Sequence, residues 1–199
     1  MKLSFPNIEQ TLELLSTRRT RKPEEFNGER ISDANLKKLL EAANWAPTHG
    51  YTEPWRFTVF TDAALQRLGN FLAEQDQPEP QAENFNPQRH ERLKNRPLLA
   101  SHVIGIGLQP GGNPKIPEIE EISAVAMAVQ NLWLMVHAAG YGGYWSSGKV
   151  AYTSATRQFL GLPEGARSLG FFYLGCPSSP AKPGRRVSNI EEKTSWNHH

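Results

Sequence analysis

The stretch from Pro117 to Gly140 constrains the fold more than any other part of the chain. Val125, Met127, Ala128, Val129, Leu132, Trp133, Met135 and Val136 make it apolar on several sides, so other elements must cover it on several sides. Glu118, Glu120 and Glu121 complement the positive end of a helix dipole, and Gly140 suits the closing position. The pattern predicts a central helix with the other elements packed around it. No apolar run approaches the length expected of a bilayer-spanning segment.

The flanking sequence supplies those elements. Asn7 to Ser16 predicts a helix with Ile8, Leu12 and Leu15 on one face and Asn7 as its cap. A second helix starts at Ser32 or Asp33, turns Leu36, Leu39, Leu40 and Ala43 inward, and stops before Pro47. Trp55 to Phe60 alternates like a strand. Thr61 or Asp62 caps a short helix carrying Leu65, Leu68 and Leu72. Leu98 to Leu108 and Leu169 to Leu174 predict buried strands, Tyr144 to Ser146 a short strand, and Ser154 to Leu160 a helix. Residues 74–97 are polar and carry Pro78, Pro80, Pro87 and Pro97, which predicts a mobile loop with a short helix around Arg89 to Lys94. Strands separated by helices predict an α+β or α/β sandwich. No repeat or linker divides the chain, so one domain is expected over residues 1–199, with 177–199 as an extended tail.

Composition narrows the function. At 199 residues, 38% hydrophobic and 21% charged, the chain resembles an ordinary globular protein with a sizeable core. A net charge of +2 gives no field suited to nucleic acid, and no nucleic-acid or membrane partner is expected. The single cysteine, Cys176, excludes an internal disulfide and reads as a buried bystander. No signal-peptide pattern occupies Met1 to Gln10, and a cytoplasmic location is expected.

Several chemistries fail on spacing. A dinucleotide fingerprint needs a third glycine three residues after the second. That position is Pro110 after Gly107 and Trp145 after Gly142. His49, His90, His102 and His137 have no metal-ligand spacing, so no metal is expected, and His137 reads as a satisfied core residue. G-x-S-x-G is absent, so Ser146 and Ser147 read as donors rather than nucleophiles. With no complete acid–base set, no catalytic side chain is assigned and a cofactor must carry the chemistry. Two segments fit one. Arg18-Arg19-Thr20-Arg21-Lys22 concentrates the guanidinium groups that a phosphate needs. The loop Pro47 to Trp55 carries the His, Thr, Tyr and Trp that hold a planar ring.

The runs TRRTRKPEEF, LLEAANWAPTHGYTEPWRFTVF, GYGGYWSSG and LGFFYLGCPSSPAKPGRR occur in the order seen in the nitroreductase family. The chain resembles its short, single-domain bacterial members over nearly all its length. The resemblance implies a nitroreductase-like three-layer α+β sandwich, with a mainly antiparallel central sheet flanked by helices. It also implies a homodimer with FMN sites shared between subunits. FMN would pass hydride from NADPH or NADH to nitroaromatics, quinones or other unsaturated small-molecule acceptors in a ping-pong cycle.

Site residues follow from the same resemblance. Arg18 matches the phosphate-binding arginine, and Arg19 and Thr20 take the next two positions. Lys22 matches the basic residue near the flavin pyrimidine. Pro47, Thr48, His49 and Tyr51 match the loop that touches the flavin of the other subunit. Trp145, Ser146, Ser147 and Gly148 match the segment over the ring edge. Lys182, Arg185 and Arg186 match a second phosphate-binding group. Arg21 is expected to be a solvated side chain, and Trp55 to be core packing. Glu53 and Ser146 depart from the family, which often has Gln and Arg there. Two other readings stand beside this one: a flavin-handling protein of the same fold without nitroreductase turnover, and a non-catalytic nucleotide- or anion-binding module.

Overall fold

The computed structural model describes residues 7–76 and 85–198. Helix α1 spans Ile8–Thr17; Asn7 Oδ1 accepts from Gln10 N at 2.8 Å, and Gln10 Oε1 accepts from Asn7 N, closing a capping box. Helix α2 spans Asp33–Asn44, capped by Ser32, and buries Leu36, Leu39 and Ala43. Strand β1 is Trp55–Phe60 and helix α3 is Ala63–Asp76. Helix α4, Pro87–Asn95, takes the place predicted around Arg89 to Lys94. Residues 74–76 of the predicted loop instead continue α3, and residues 77–84 lie outside the described residues. Strand β2, His102–Leu108, starts later than expected because Arg96–Leu99 forms a 3₁₀ turn around Pro97. Helix α5 is Glu118–Ala138, strand β3 Gly142–Ser146, helix α6 Ser154–Phe159 and strand β4 Arg167–Gly175.

The strands form one antiparallel sheet in the order β1-β2-β4-β3. Its alternating side chains feed two cores. Ile104, Ile106, Leu108, Phe172 and Leu174 face α2 and α5, packing on Leu39, Ala43, Val125, Val129 and Leu132. Val103, Phe171 and Tyr173 face the other way, onto Leu65, Leu68 and Leu72 of α3 and onto Leu160. The result is the three-layer sandwich expected, with the sheet in the middle. Gly105 and Gly107 are packing positions: a Cβ on either would collide with Leu160 or Leu162.

By length and mean hydropathy (21 residues, 1.3) α5 does reach what a membrane crossing requires, which corrects the expectation that no run does. Here it is the core helix of the sandwich, with Val125, Ala128, Val129, Leu132 and Val136 fully buried. Its coverage is incomplete. Ile119, Met127 and Met135 are exposed, and so are Ile8, Leu12 and Leu15, since α1 buries no residue at all.

Candidate functional site

Residues 18–21 leave the end of α1 and run along β3, the edge strand. Thr20 bridges Gly143, and Arg21 N donates to Gly143 O at 2.9 Å. Alternation then sends neighbouring side chains to different surroundings.

Arg19 is bound to backbone. Its Nη1 donates to Ser16 O at 2.7 Å and Arg18 O at 2.6 Å, and its Nε donates to Lys182 O at 3.2 Å. That last bond ties the C-terminal segment to α1. Arg21 is buried rather than solvated, correcting the sequence expectation: its Nη2 donates to Ser179 O at 2.9 Å and its Nε lies 3.2 Å from Glu25 Oε1. The hydrophobic part of its side chain fills the contact with Gly142. Arg18 differs from both. Its guanidinium lies over the Trp133 ring at 4.5 Å, and its Nη1 is buried without a hydrogen-bond partner. Burial first, then Arg19 and Arg186, lowers its pKa.

Arg19, Arg185 and Arg186 line one cavity of about 390 Å³ with Leu12, Leu15, Ser16 and Gly184. The structure thus brings Arg18, Arg19 and Arg186 to one place. Thr20 and Lys22 are exposed, and Lys182 reaches Arg19 through its carbonyl. His137 is half-buried at this junction rather than in the core; its Nε2 pairs with Thr17 Oγ1 at 2.9 Å. Burial, then Arg18 and Arg19, lowers its pKa.

The second group is held elsewhere. Pro47, Thr48 and His49 line a cavity of about 350 Å³ against Ile119, Glu120, Ser123 and Met127 of α5. His49 Nδ1 lies 2.5 Å from Glu120 Oε2. Thr48 Oγ1 pairs with Thr52 Oγ1 at 3.0 Å and accepts from Glu53 N at 3.3 Å. The loop is strained: Tyr51 and Glu53 hold φ of +54° and +43°, in the left-handed region that side chains avoid. Tyr51 is 91% exposed on this loop. Trp55 packs in the core as expected and donates from Nε1 to Asn44 Oδ1 at 3.1 Å.

The His49 loop and the arginine cluster meet different stripes of α5. Glu120, Ser123 and Met127 repeat at helical spacing under the His49 loop, whereas Trp133 and His137, four residues apart, face Arg18 and Thr17. At 3.6 residues per turn the two stripes are roughly 90° apart around the helix. The third group lies at the end of β3, the strand whose start pairs with residues 20–21. Trp145 donates from Nε1 to Leu169 O at 2.9 Å, so it offers ring surface rather than that donor. Ser146 is half-buried, and Ser147 and Gly148 are exposed. Cys176 is half-buried, with burial and then Glu29 pushing its thiol pKa up, which suits a bystander.

Sequence reasoning did not single out Trp133 or Glu120 for the site. The helical spacing of Trp133 and His137 was visible, but nothing local tells which neighbour an apolar helix presents them to.

The Nitroreductase family profile matches residues 15–176, from the end of α1 to the residue after β4. YdjA of Escherichia coli strain K12, provisionally named as an NAD(P)H nitroreductase, is 27% identical over 152 residues, covering 76% of this chain and 81% of that protein. A nitroreductase-like family protein from Bacillus cereus superposes with a TM-score of 0.82 at 22% identity, covering 100% of both chains. A provisionally named nitroreductase from Desulfovibrio desulfuricans, solved in complex with FMN, superposes at 0.70 with 23% identity, covering 98% of this chain and 99% of that one.

Proposed function

The chain belongs to the nitroreductase family, and from that premise we propose that it is an FMN-dependent NAD(P)H oxidoreductase acting on small electron acceptors. The observation that carries this reading is Arg18: a guanidinium with a buried, unpartnered nitrogen, beside Arg19 and Arg186. A cluster of like charges around an unpartnered donor fits a phosphate monoester, whose three oxygens accept several charge-assisted bonds. When bound, FMN would supply hydride transfer from NADPH or NADH to nitroaromatics, quinones or similar acceptors, with donor and acceptor using the site in turn.

The protein's residues bind and orient. Arg18 anchors the phosphate, with Arg186 and Arg185 completing the charge. Arg19 serves by fixing the segment that carries Arg185 and Arg186 against α1. Lys22, exposed four residues after Arg18, would supply a cation toward the pyrimidine side, where it would favour negative charge on the reduced ring. The end of β3, Trp145 to Gly148, offers ring surface and backbone groups.

His49 and Arg18 occupy different faces of α5. In this reading a flavin touched by both draws them from two copies of the chain, since the exposed apolar faces of α1 and α5 give a second copy a surface to cover. We place the protein as a homodimer with shared flavin sites, in the cytoplasm.

Purified protein should carry, or take up, a yellow chromophore; protein that stays colourless after FMN is added refutes the reading. Stopped-flow mixing with NADPH and with NADH should bleach the flavin, and a nitroaromatic or quinone should restore its colour. Bound flavin that neither nucleotide bleaches would instead support a flavin-handling role without turnover.

A further inference from the structure

We infer that Trp133 is a positioning residue for the phosphate anchor: its ring face holds the Arg18 guanidinium and sets the affinity for FMN. This rests on the FMN reading above and goes beyond it, to a residue of the central helix.

The neighbouring arginines set the contrast. Arg19 is bound to the carbonyls of Ser16, Arg18 and Lys182. Arg21 is bound to Ser179 and paired with Glu25. Both are held by acceptors, although Arg21 Nε, 3.2 Å from Glu25 Oε1, is in ion-pair contact rather than hydrogen-bonded. Arg18 is held by an aromatic face, at 4.5 Å from guanidinium carbon to ring centroid. A carboxylate in that place would fix the side chain equally well, but it would neutralise the charge and occupy the fork. An aromatic ring attracts the cation through its quadrupole and leaves every N–H free. Arg18 Nη1 is accordingly buried with no hydrogen-bond partner.

Trp133 is itself fixed. Its ring meets the fully buried Phe172 edge-on, with centroids 5.4 Å apart and planes at 87°. Gly143 makes room for this pair, since a Cβ there would collide with the Phe172 ring and reach 3.1 Å from Trp133 Nε1. The same Gly143 accepts from Arg21 N and bridges Thr20, so one glycine sets both the ring and the backbone that delivers Arg18. One turn further along α5, His137 holds Thr17. The helix therefore grips two consecutive residues of the anchor segment with side chains four apart.

The test is a double-mutant cycle on the flavin-free protein, titrated with FMN and read by flavin fluorescence. Trp133→Met keeps a flexible apolar side chain, smaller than Trp and without a π face, and should weaken FMN binding about tenfold. Trp133→Phe keeps a weaker face and should lose about threefold. In an Arg18→Ala background the same substitutions should change FMN affinity less than about twofold, because the group they position is gone. Thermal melts accompany each variant, and Trp133→Phe carries the test if Trp133→Met does not fold. FMN affinity unchanged in Trp133→Phe and Trp133→Met, or equal losses with and without Arg18, overturns the inference while leaving the proposed function standing. A wild-type protein that binds no FMN overturns both.

Discussion

Replacing Arg21 with alanine tests whether burial or sequence context decides what an arginine does. In a basic run at a helix end, a solvated arginine contributes within about 0.5 kcal/mol of stability. The structure demands more. Arg21 is 5% exposed, and its Nη2 donates to Ser179 O at 2.9 Å, a bond to a charged donor worth about 1.5–3 kcal/mol. The contact with Glu25 adds little: that carboxylate is 45% exposed, rehydrates when the arginine leaves, and is worth below about 1 kcal/mol. The buried stem adds some packing against Gly142. Arg21→Ala should therefore cost about 2–3 kcal/mol, lowering Tm by about 5–10 °C for a chain of this size. Urea denaturation of flavin-free protein, at one fixed concentration, measures it. Glu25→Gln should cost below about 1 kcal/mol in the same assay. A loss below about 0.5 kcal/mol for Arg21→Ala would show that Ser179 and the tail do not depend on the guanidinium, and burial would not be what distinguishes this arginine.

Arg18→Ala should weaken FMN binding by about 1.5–3 kcal/mol, the loss of a charge-assisted bond, measured by equilibrium dialysis; unchanged affinity would make Arg18 ordinary surface charge. Dilution to monomer should release FMN, because the proposed site takes His49 and Arg18 from two subunits; a flavin-loaded monomer in light scattering contradicts this. Stability should fall as pH drops below about 6.5, the ordinary histidine value. His102 and His137 both have lowered pKa values, chiefly through burial, so the unfolded chain binds more protons in that window and stability rises with pH. His102→Gln combined with His137→Gln should flatten the urea midpoint between about pH 7 and about pH 5; an unchanged slope would assign the acid sensitivity to other groups.

The fold was largely legible because its signals are periodic and local. Asn7 and Ser32 cap their helices with side-chain oxygens that accept from backbone N–H groups three residues on, and the β-prone run Trp55–Phe60 is strand β1. The misses are equally physical. Leu98 and Leu99 are as apolar as a strand residue, but Pro97 cannot supply the N–H that a ladder needs, so that segment turns and β2 begins at His102. Ile8, Leu12 and Leu15 do share a face, yet that face is exposed in the single chain.

The site was legible as charge and illegible as availability. Sequence shows three arginines within residues 18–21, and any of them is chemically fit for a phosphate. What separates them is which acceptors the fold brings to each, and those acceptors are remote: Lys182 and Ser179 arrive from the tail, Trp133 from the middle of α5. Carbonyls and a carboxylate hold Arg19 and Arg21, whereas Arg18 is held by a ring that takes none of its donors. The same logic applies at the other loop. His49 was visible as a donor-rich turn residue, but its Nδ1 is engaged by Glu120, seventy-one residues on. Of its two ring nitrogens, Nε2 is the one not engaged in that contact, so a His49→Gln variant, which keeps one donor but cannot pair in both directions, should separate loop placement from flavin contact. It should bind FMN more weakly than wild type while Glu120→Gln, which keeps an acceptor for Nδ1, should bind nearly as wild type; the reverse order in fluorescence titration would make Glu120 rather than His49 the group that matters to the flavin.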